Sequence, residues 1–211
     1  MGSLSKIVVG ALATAAVIVL LLYAFVFDVW TVPTDDPVLA ASIEPTLRAG
    51  DVVLVLRSGT PSRGDLIRCD DPQAPGRYVV ARAIGSPGDN IEISGETVSI
   101  DGHHTPSLRA CDDPTHTVFD PNANDTVELA CTVEDYGDFG FSALRSADHP
   151  EPPLKARVSS GKWFLVSDNR HIHVDSRDYG QMQVGGCRHV VFRLMGSGGF
   201  SDDKHRFSII W

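Results

Sequence analysis

The chain has 211 residues, of which 43% are hydrophobic, so it is long enough for one globular domain or for one domain with an insertion. This composition excludes a wholly disordered chain, a collagen-like repeat and a protein with several membrane spans. Its 27 acidic and 18 basic residues give a net charge of −9. That charge argues against nucleic-acid binding, because contacts to phosphates need a clustered basic surface.

An uncharged apolar segment, residues 7–27, lies near the N-terminus. At roughly 20 residues it is long enough to span a bilayer, whereas a cleavable signal usually has an apolar region of about 7–15 residues. Its length and the bulky residues at its end favour a retained anchor in contact with membrane lipid. Lys6 precedes the segment and acidic residues follow it, so the positive-inside rule places residues 1–6 in the cytoplasm and the rest outside.

After the anchor, short apolar stretches alternate with turn signals, and no long amphipathic helical pattern occurs. We therefore predict a mostly β, antiparallel ectodomain, with a core formed by residues 28–100 and 161–211. Residues 101–160 are rich in Asp, Pro, His, Thr and Asn, and we interpret them as an inserted cap with little chemistry of its own. The predicted strands are residues 52–56, 65–68, 78–84, 90–93, 97–100, 163–166 and 189–194.

Four cysteines follow the anchor, which fits an exported compartment where disulfides are permitted. They contain no CxxC pair, so a zinc ribbon is not indicated. Four cysteines allow three pairings. We favour Cys111 with Cys131, which bracket one loop-rich stretch, and Cys69 with Cys187; the alternative is four reduced and buried cysteines.

Reactive side chains concentrate in four short clusters. They surround Ser42, Arg63-Gly64-Asp65, residues 82–89 and the loop of residues 167–177. Each cluster also has a purely structural interpretation. A serine before a turn is often a cap or a turn former, glycines in turns adopt positive φ, and aspartates accept hydrogen bonds from backbone N–H groups. His171 and His173 have no third ligand at a defined spacing, so we predict no metal and no cofactor.

In this order, behind one N-terminal anchor, the four clusters resemble type I signal peptidases, the serine proteases of the S26 type that remove signal peptides from exported proteins. The resemblance implies a single-pass protein of the bacterial cytoplasmic (inner) membrane, with its ectodomain on the exported side and signal peptides as partners. It also implies that Ser42 is the nucleophile. Arg82, Asp175 and Arg177 would form a supporting charge cluster, together with Asp168.

The chain departs from the family at the general base. The family has a lysine immediately before the arginine of its Lys-Arg pair, and Ala81 occupies that position here. Losing one member of a catalytic unit commonly removes several orders of magnitude in rate. Arg82 cannot replace the base, because arginine stays protonated. Two smaller departures are Ala40, where many bacterial members have a serine, and Ser167, where the family has a glycine.

A substitute base is available in the last cluster. His173 occupies the position of a serine that contacts the lysine in the bacterial enzymes, and imidazole has an ordinary pKa of about 6.5, which suits a general base. We therefore consider a Ser42–His173 dyad in which Asp168 or Asp175 orients the ring.

Two alternatives to an active protease remain. The chain could be a catalytically inactive homologue, a pseudoenzyme that binds signal peptides or partner proteins without cleaving them. It could also be an engineered Lys-to-Ala variant of an active enzyme.

Overall fold

One apolar helix leads into a domain built from antiparallel strands in the computed structural model, which describes residues 3–95, 97–104, 109–137, 139–146 and 152–210. Helix α1 (Ser3–Phe25) is long and apolar enough to cross a membrane, and it is not buried against the β domain. It ends at Phe25, and Phe27 already begins the first strand. The predicted anchor of residues 7–27 therefore extends two residues beyond the helix.

Within the residues listed above, the remaining elements are two short helices, one 3₁₀ turn and fifteen strands. The helices are α2 (Pro37–Ser42) and α3 (Ser176–Tyr179), and the 3₁₀ turn is Val184–Gly186. The strands are β1 (Phe27–Thr31), β2 (Val52–Leu56), β3 (Leu66–Asp70), β4 (Tyr78–Gly85), β5 (Asn90–Ser94), β6 (Thr97–Ile100), β7 (His103–His104), β8 (Arg109–Asp120), β9 (Asp125–Asp135), β10 (Gly140–Arg145), β11 (Leu154–Arg157), β12 (Lys162–Val166), β13 (Met182–Gln183), β14 (Cys187–Met195) and β15 (Ser208–Ile209).

The strands form three antiparallel sheets. The largest has eight strands in the order β1-β2-β14-β3-β4-β12-β13, with β15 paired to β14. A second sheet has the order β11-β5-β6-β7, and a third has the order β10-β9-β8. All seven predicted strands are present within a residue or two of their predicted ends. The prediction of a mostly antiparallel β fold with one N-terminal apolar helix is confirmed.

The segment of residues 101–160 contributes to two different sheets. Strands β8, β9 and β10 form a sheet of their own, whereas β7 and β11 pair with β6 and β5. The division into a core and one inserted cap therefore stays a prediction. One parallel bridge between Leu144 and Asn169 connects β10 to the loop after β12.

Strand β4 lies in the middle of the large sheet and is covered on both faces, which explains its nearly continuous apolar sequence. Because successive side chains of a strand point to opposite faces, Val80 packs with the cluster around Trp30, whereas Ala81 packs with the cluster around Leu165. Arg82 is the one charged residue in this strand. It lies on the face opposite Ala81.

Both favoured disulfides are present, and no cysteine is free. The Cys69–Cys187 bond joins β3 to β14, where the two cysteines are directly paired across the sheet. The Cys111–Cys131 bond joins β8 to β9. The predicted pairing is confirmed, and the alternative of four reduced cysteines was wrong.

Candidate active site

Ser42 is the last residue of the short helix α2. The helix begins with Pro37 at its first position, and the Asp36 side chain accepts a hydrogen bond from the Leu39 backbone N–H at 3.1 Å. Ser42 is completely buried, and its hydroxyl donates to the Leu39 carbonyl at 2.8 Å. This local bond is of the kind that a purely structural serine makes.

Asn169 connects the end of α2 to the loop of residues 167–177. Its backbone N–H donates to the Ser42 carbonyl and its side-chain amide donates to the Ala41 carbonyl, both at 3.0 Å. Its side-chain oxygen accepts from the backbone N–H groups of His171 and Ile172. One buried asparagine therefore shapes the loop and holds it against the candidate nucleophile.

A buried ion pair joins Arg82 on β4 to Asp168 in the loop of residues 167–177. Arg82 and Asp168 have side chains exposed by only 1% and 0%, and the Arg82 Nε lies 3.0 Å from an Asp168 oxygen. Thr46 donates its hydroxyl to Asp168 at 2.5 Å and accepts from Arg82 at 3.1 Å. Arg82 also donates to the Gly64 carbonyl. Thr46 lies in the same motif as Ser42, but its contact with Asp168 was not predicted, because the two residues are 122 positions apart in the sequence.

Asp175 and Arg177 form a second pair. Arg177 Nη2 lies 2.7 Å from Asp175, which also accepts from the Ser167 backbone N–H at 2.7 Å. The predicted supporting charge cluster is thus organised as two pairs, Arg82 with Asp168 and Arg177 with Asp175. Burial opposes ionisation of Asp175, but the Arg177 charge and hydrogen bonds outweigh it and lower the pKa of Asp175 to about 2.

This pKa predicts a loss of stability in acid. Because the folded-state pKa of Asp175 lies below its ordinary value of 3.8, its contribution is complete above about pH 4 and disappears as the pH falls toward 2. We expect Asp175→Asn to lower the free energy of unfolding by about 2 kcal/mol at pH 6 and by much less near pH 2. Urea unfolding of the unmodified chain and of Asp175→Asn between pH 2 and pH 6 measures this difference in the free energy of unfolding. A difference that does not change with pH would contradict the prediction.

His173 is held by a carboxylate other than the predicted ones. Its Nδ1 lies 2.8 Å from an oxygen of Asp178, whereas Asp168 is bound by Arg82. The prediction that Asp168 or Asp175 orients the ring stays a prediction, and in this structure both carboxylates are paired with arginines. Burial lowers the pKa of His173, but the hydrogen bond that the ring donates to Asp178 and the neighbouring negative charges outweigh it, so this pKa is raised.

The Ser42–His173 dyad stays a hypothesis. The Ser42 hydroxyl donates its hydrogen to the Leu39 carbonyl, so transfer of that hydrogen to His173 would require this bond to break. A raised pKa also increases the fraction of His173 that is protonated near neutral pH, and a protonated ring cannot accept a proton.

Among the described residues, His173, Asp175 and Asp178 form a group that could hold a metal, since their ligand atoms lie within 4.8 Å of one another. Asp175, however, is already paired with Arg177.

Ala81 is enclosed by apolar side chains. It is completely buried, and its cluster consists of aliphatic and aromatic side chains and the Cys69–Cys187 disulfide. Members that surround it include Ile67, Trp163 and Leu165. A longer side chain at this position would therefore extend into a region from which water is excluded.

Motifs far apart in the sequence meet beside Ser42, behind a single apolar helix, and this combination points to a membrane-anchored serine peptidase. Comparison with known proteins identifies the family. The sequence profile described as signal peptidase, peptidase S26, matches residues 5–187. The chain therefore belongs to the signal peptidase family, and the resemblance to the type I enzymes is confirmed.

Curated relatives match over most of their length. Signal peptidase I from Bacillus licheniformis is 29% identical over 194 residues, which cover 87% of this chain and 86% of that protein. Signal peptidase I from Bacillus amyloliquefaciens is 28% identical over 174 residues, 80% of this chain and 72% of that protein. Signal peptidase IB from Staphylococcus aureus is 26% identical over 211 residues, 94% of this chain and 92% of that protein.

Proposed function

We propose that this chain is a type I signal peptidase, a serine endopeptidase that removes signal peptides from exported precursor proteins, with Ser42 as its nucleophile. The observation that carries the proposal is the double contact of Asn169 with the backbone of Ala41 and Ser42. This contact holds the nucleophile motif and the last motif of the family in one unit. Family membership supports the reaction class.

We also propose that α1 anchors the protein in the bacterial cytoplasmic membrane, in contact with lipid, with residues 1–6 in the cytoplasm. The positive-inside bias around α1 supports this orientation. The two disulfides support an exported ectodomain, because such bonds persist in oxidising compartments. Cleavage would then take place close to the outer surface of the membrane.

In the proposed reaction, an extended precursor segment binds as an added β-strand, with small residues at the first and third positions before the cut. The Ser42 hydroxyl gives up its bond to Leu39, loses its proton to a base and attacks the scissile carbonyl. The Ser42 backbone N–H helps to stabilise the oxyanion. The proton passes to the leaving amine, and water then hydrolyses the acyl-enzyme.

The base limits this reaction. Ala81 cannot accept a proton, and we propose His173 as its substitute. Activity through His173 would increase with pH as the ring becomes neutral, and because the pKa of His173 is raised, this increase would occur at a higher pH than for an ordinary imidazole. We infer that the chain cleaves slowly compared with a member of the family that carries the lysine.

A second candidate function is binding of signal peptides without cleavage. The observation that favours it is the state of Ser42, which is fully buried and hydrogen-bonded to Leu39, together with the apolar surroundings of Ala81. Such a protein would bind the signal peptide as an added β-strand, as proposed for the enzyme, and release it intact.

We expect Ser42→Ala to abolish cleavage, because no other group would supply the attacking oxygen. Detergent-solubilised protein is incubated with a precursor that carries a signal peptide, and the products are separated by mass. Ser99→Ala, which changes a buried serine on β6, away from helix α2, is the control. Cleavage that persists in Ser42→Ala would overturn the proposal, and binding of the precursor without cleavage by the unmodified chain would favour the second candidate.

The role of His173 is tested with the same assay. We expect His173→Ala to remove the residual cleavage, because it removes the proposed base. His205→Ala is the matched control, since His205 also lies 2.9 Å from an aspartate, Asp202, in the C-terminal loop. Full activity of His173→Ala would eliminate the dyad and leave Ser42 as a nucleophile with another base.

A further inference from the structure

A buried carboxylate of the predicted cap contacts the last motif of the active site. Glu134 lies on β9 and is completely buried. One of its oxygens accepts from Arg170 Nε at 3.1 Å, from Arg170 Nη2 at 2.8 Å and from Arg145 Nη2 at 2.6 Å. The other accepts from the Tyr136 hydroxyl at 2.7 Å. Burial alone raises the pKa of Glu134, but the two guanidinium groups outweigh it and lower this pKa, so the carboxylate stays ionised.

Arg170 transmits this contact to the backbone of the loop. Its Nη1 donates to the Ser167 carbonyl at 2.5 Å. Its own backbone N–H donates to the Leu144 carbonyl at 2.8 Å, and the Leu144 N–H donates to the Asp168 carbonyl at the same distance. Strands β9 and β10 therefore hold residues 167–170 through one side-chain network and two backbone hydrogen bonds.

The same strands contact the Arg82 pair. The ring of Phe141, on β10, lies 4.8 Å from the guanidinium carbon of Arg82 and 5.7 Å from that of Arg170. Both distances are within the range of cation–π attraction. One aromatic side chain thus packs against the arginine that binds Asp168 and against the arginine that binds Glu134.

We propose that Glu134 is a positioning residue for the Ser42 site, acting through Arg170 on Asp168 and Asn169. Those two residues in turn bind Arg82 and the Ser42 carbonyl. The inference rests on the proposed role of Ser42 and extends the site into the segment of residues 101–160. It replaces the expectation that this segment has little chemistry of its own.

The local consequence of removing the charge is a looser loop. Glu134→Gln keeps the shape of the side chain but removes the counter-ion of one buried guanidinium group, Arg170, and of one partly buried group, Arg145, which is unfavourable. We expect the backbone amides of Asn169, Arg170 and Ile172 to exchange with deuterium about tenfold faster, because their hydrogen bonds depend on the position of the loop. The control is Glu128→Gln, which neutralises an exposed carboxylate on the same strand.

The catalytic consequence is a lower kcat with little change in KM. A displacement of about 1 Å at a reacting group can reduce the rate by about 10²-fold. We expect a loss of this size in Glu134→Gln at a temperature where near-ultraviolet circular dichroism shows a folded protein. Glu134→Asp, which keeps the charge on a shorter side chain, should recover part of the rate, whereas a purely structural effect would follow side-chain shape and leave Gln the better substitute.

Unchanged exchange of the loop amides in Glu134→Gln would overturn the inference. If Glu134→Gln does not fold, Glu134→Asp takes its place, and exchange of these amides at the same rate in Glu134→Asp as in the Glu128→Gln control would overturn the inference. Failure of the proposed function is recognised separately, because it appears as the absence of Ser42-dependent cleavage in the unmodified chain. The exchange measurement does not require cleavage.

Discussion

Ala81→Lys is expected to increase Ser42-dependent cleavage by several orders of magnitude, because it supplies a proton acceptor at the position where we propose that the general base is missing. Ala81 is fully buried among apolar side chains, and burial disfavours the charged form of an amine. The pKa of a lysine at position 81 should therefore fall well below its ordinary value of about 10.4, which makes the neutral amine available at working pH. The initial rate of precursor cleavage across pH 6–10 measures both effects.

Ala83→Lys is the matched control for this gain. Ala83 is also completely buried, belongs to the same apolar cluster and lies on the same face of β4, two residues further along the strand. Both substitutions should destabilise the fold by about 1–3 kcal/mol through overpacking. Only Ala81→Lys should accelerate cleavage. An equal rate of cleavage in Ala81→Lys and in the unmodified chain would contradict the prediction. It would indicate either that another group acts as the base or that the site is inactive for a different reason.

Asp168→Asn is expected to lower the free energy of unfolding by about 3–5 kcal/mol, because it leaves the Arg82 charge buried without a counter-ion. Both side chains of the pair are essentially inaccessible to solvent, and Thr46 bridges them. The same change should reduce cleavage, since Asp168 precedes the asparagine that binds Ser42. Urea unfolding of the detergent-solubilised chain, followed by tryptophan fluorescence, gives the free energy.

Arg77→Gln is the control for the buried pair. Arg77 lies 2.7 Å from Asp36, but its side chain is 54% exposed. Exposed ion pairs contribute at most about 1 kcal/mol, so this substitution should have a small effect. Similar losses in Asp168→Asn and Arg77→Gln would show that the Arg82–Asp168 pair is not the stabilising element that its burial indicates.

Much of the fold was predictable because its signals are local. Residues 7–27 have no charge, and a span of that length has few alternatives to a membrane helix. The strands β2, β4 and β14 are short apolar runs bounded by turn residues, and these patterns identify strands without knowledge of their partners. The order β1-β2-β14-β3-β4-β12-β13 was not predictable, since β14 lies between β2 and β3 through contacts that bring residues more than 100 positions apart together.

The sequence by itself determined which chemical groups the proposed site contains: Ser42 in the proposed nucleophile motif, Ala81 where the resemblance implies a lysine, and a loop with Asp168, Asp175 and His173. Only the tertiary structure decided how these groups are paired. Arg82 meets Asp168, His173 meets Asp178, and Glu134 meets Arg170 from a strand that had no recognisable motif. The physical reason is that a charge pair depends on distance and burial, and both are set by how the sheets pack rather than by spacing along the chain.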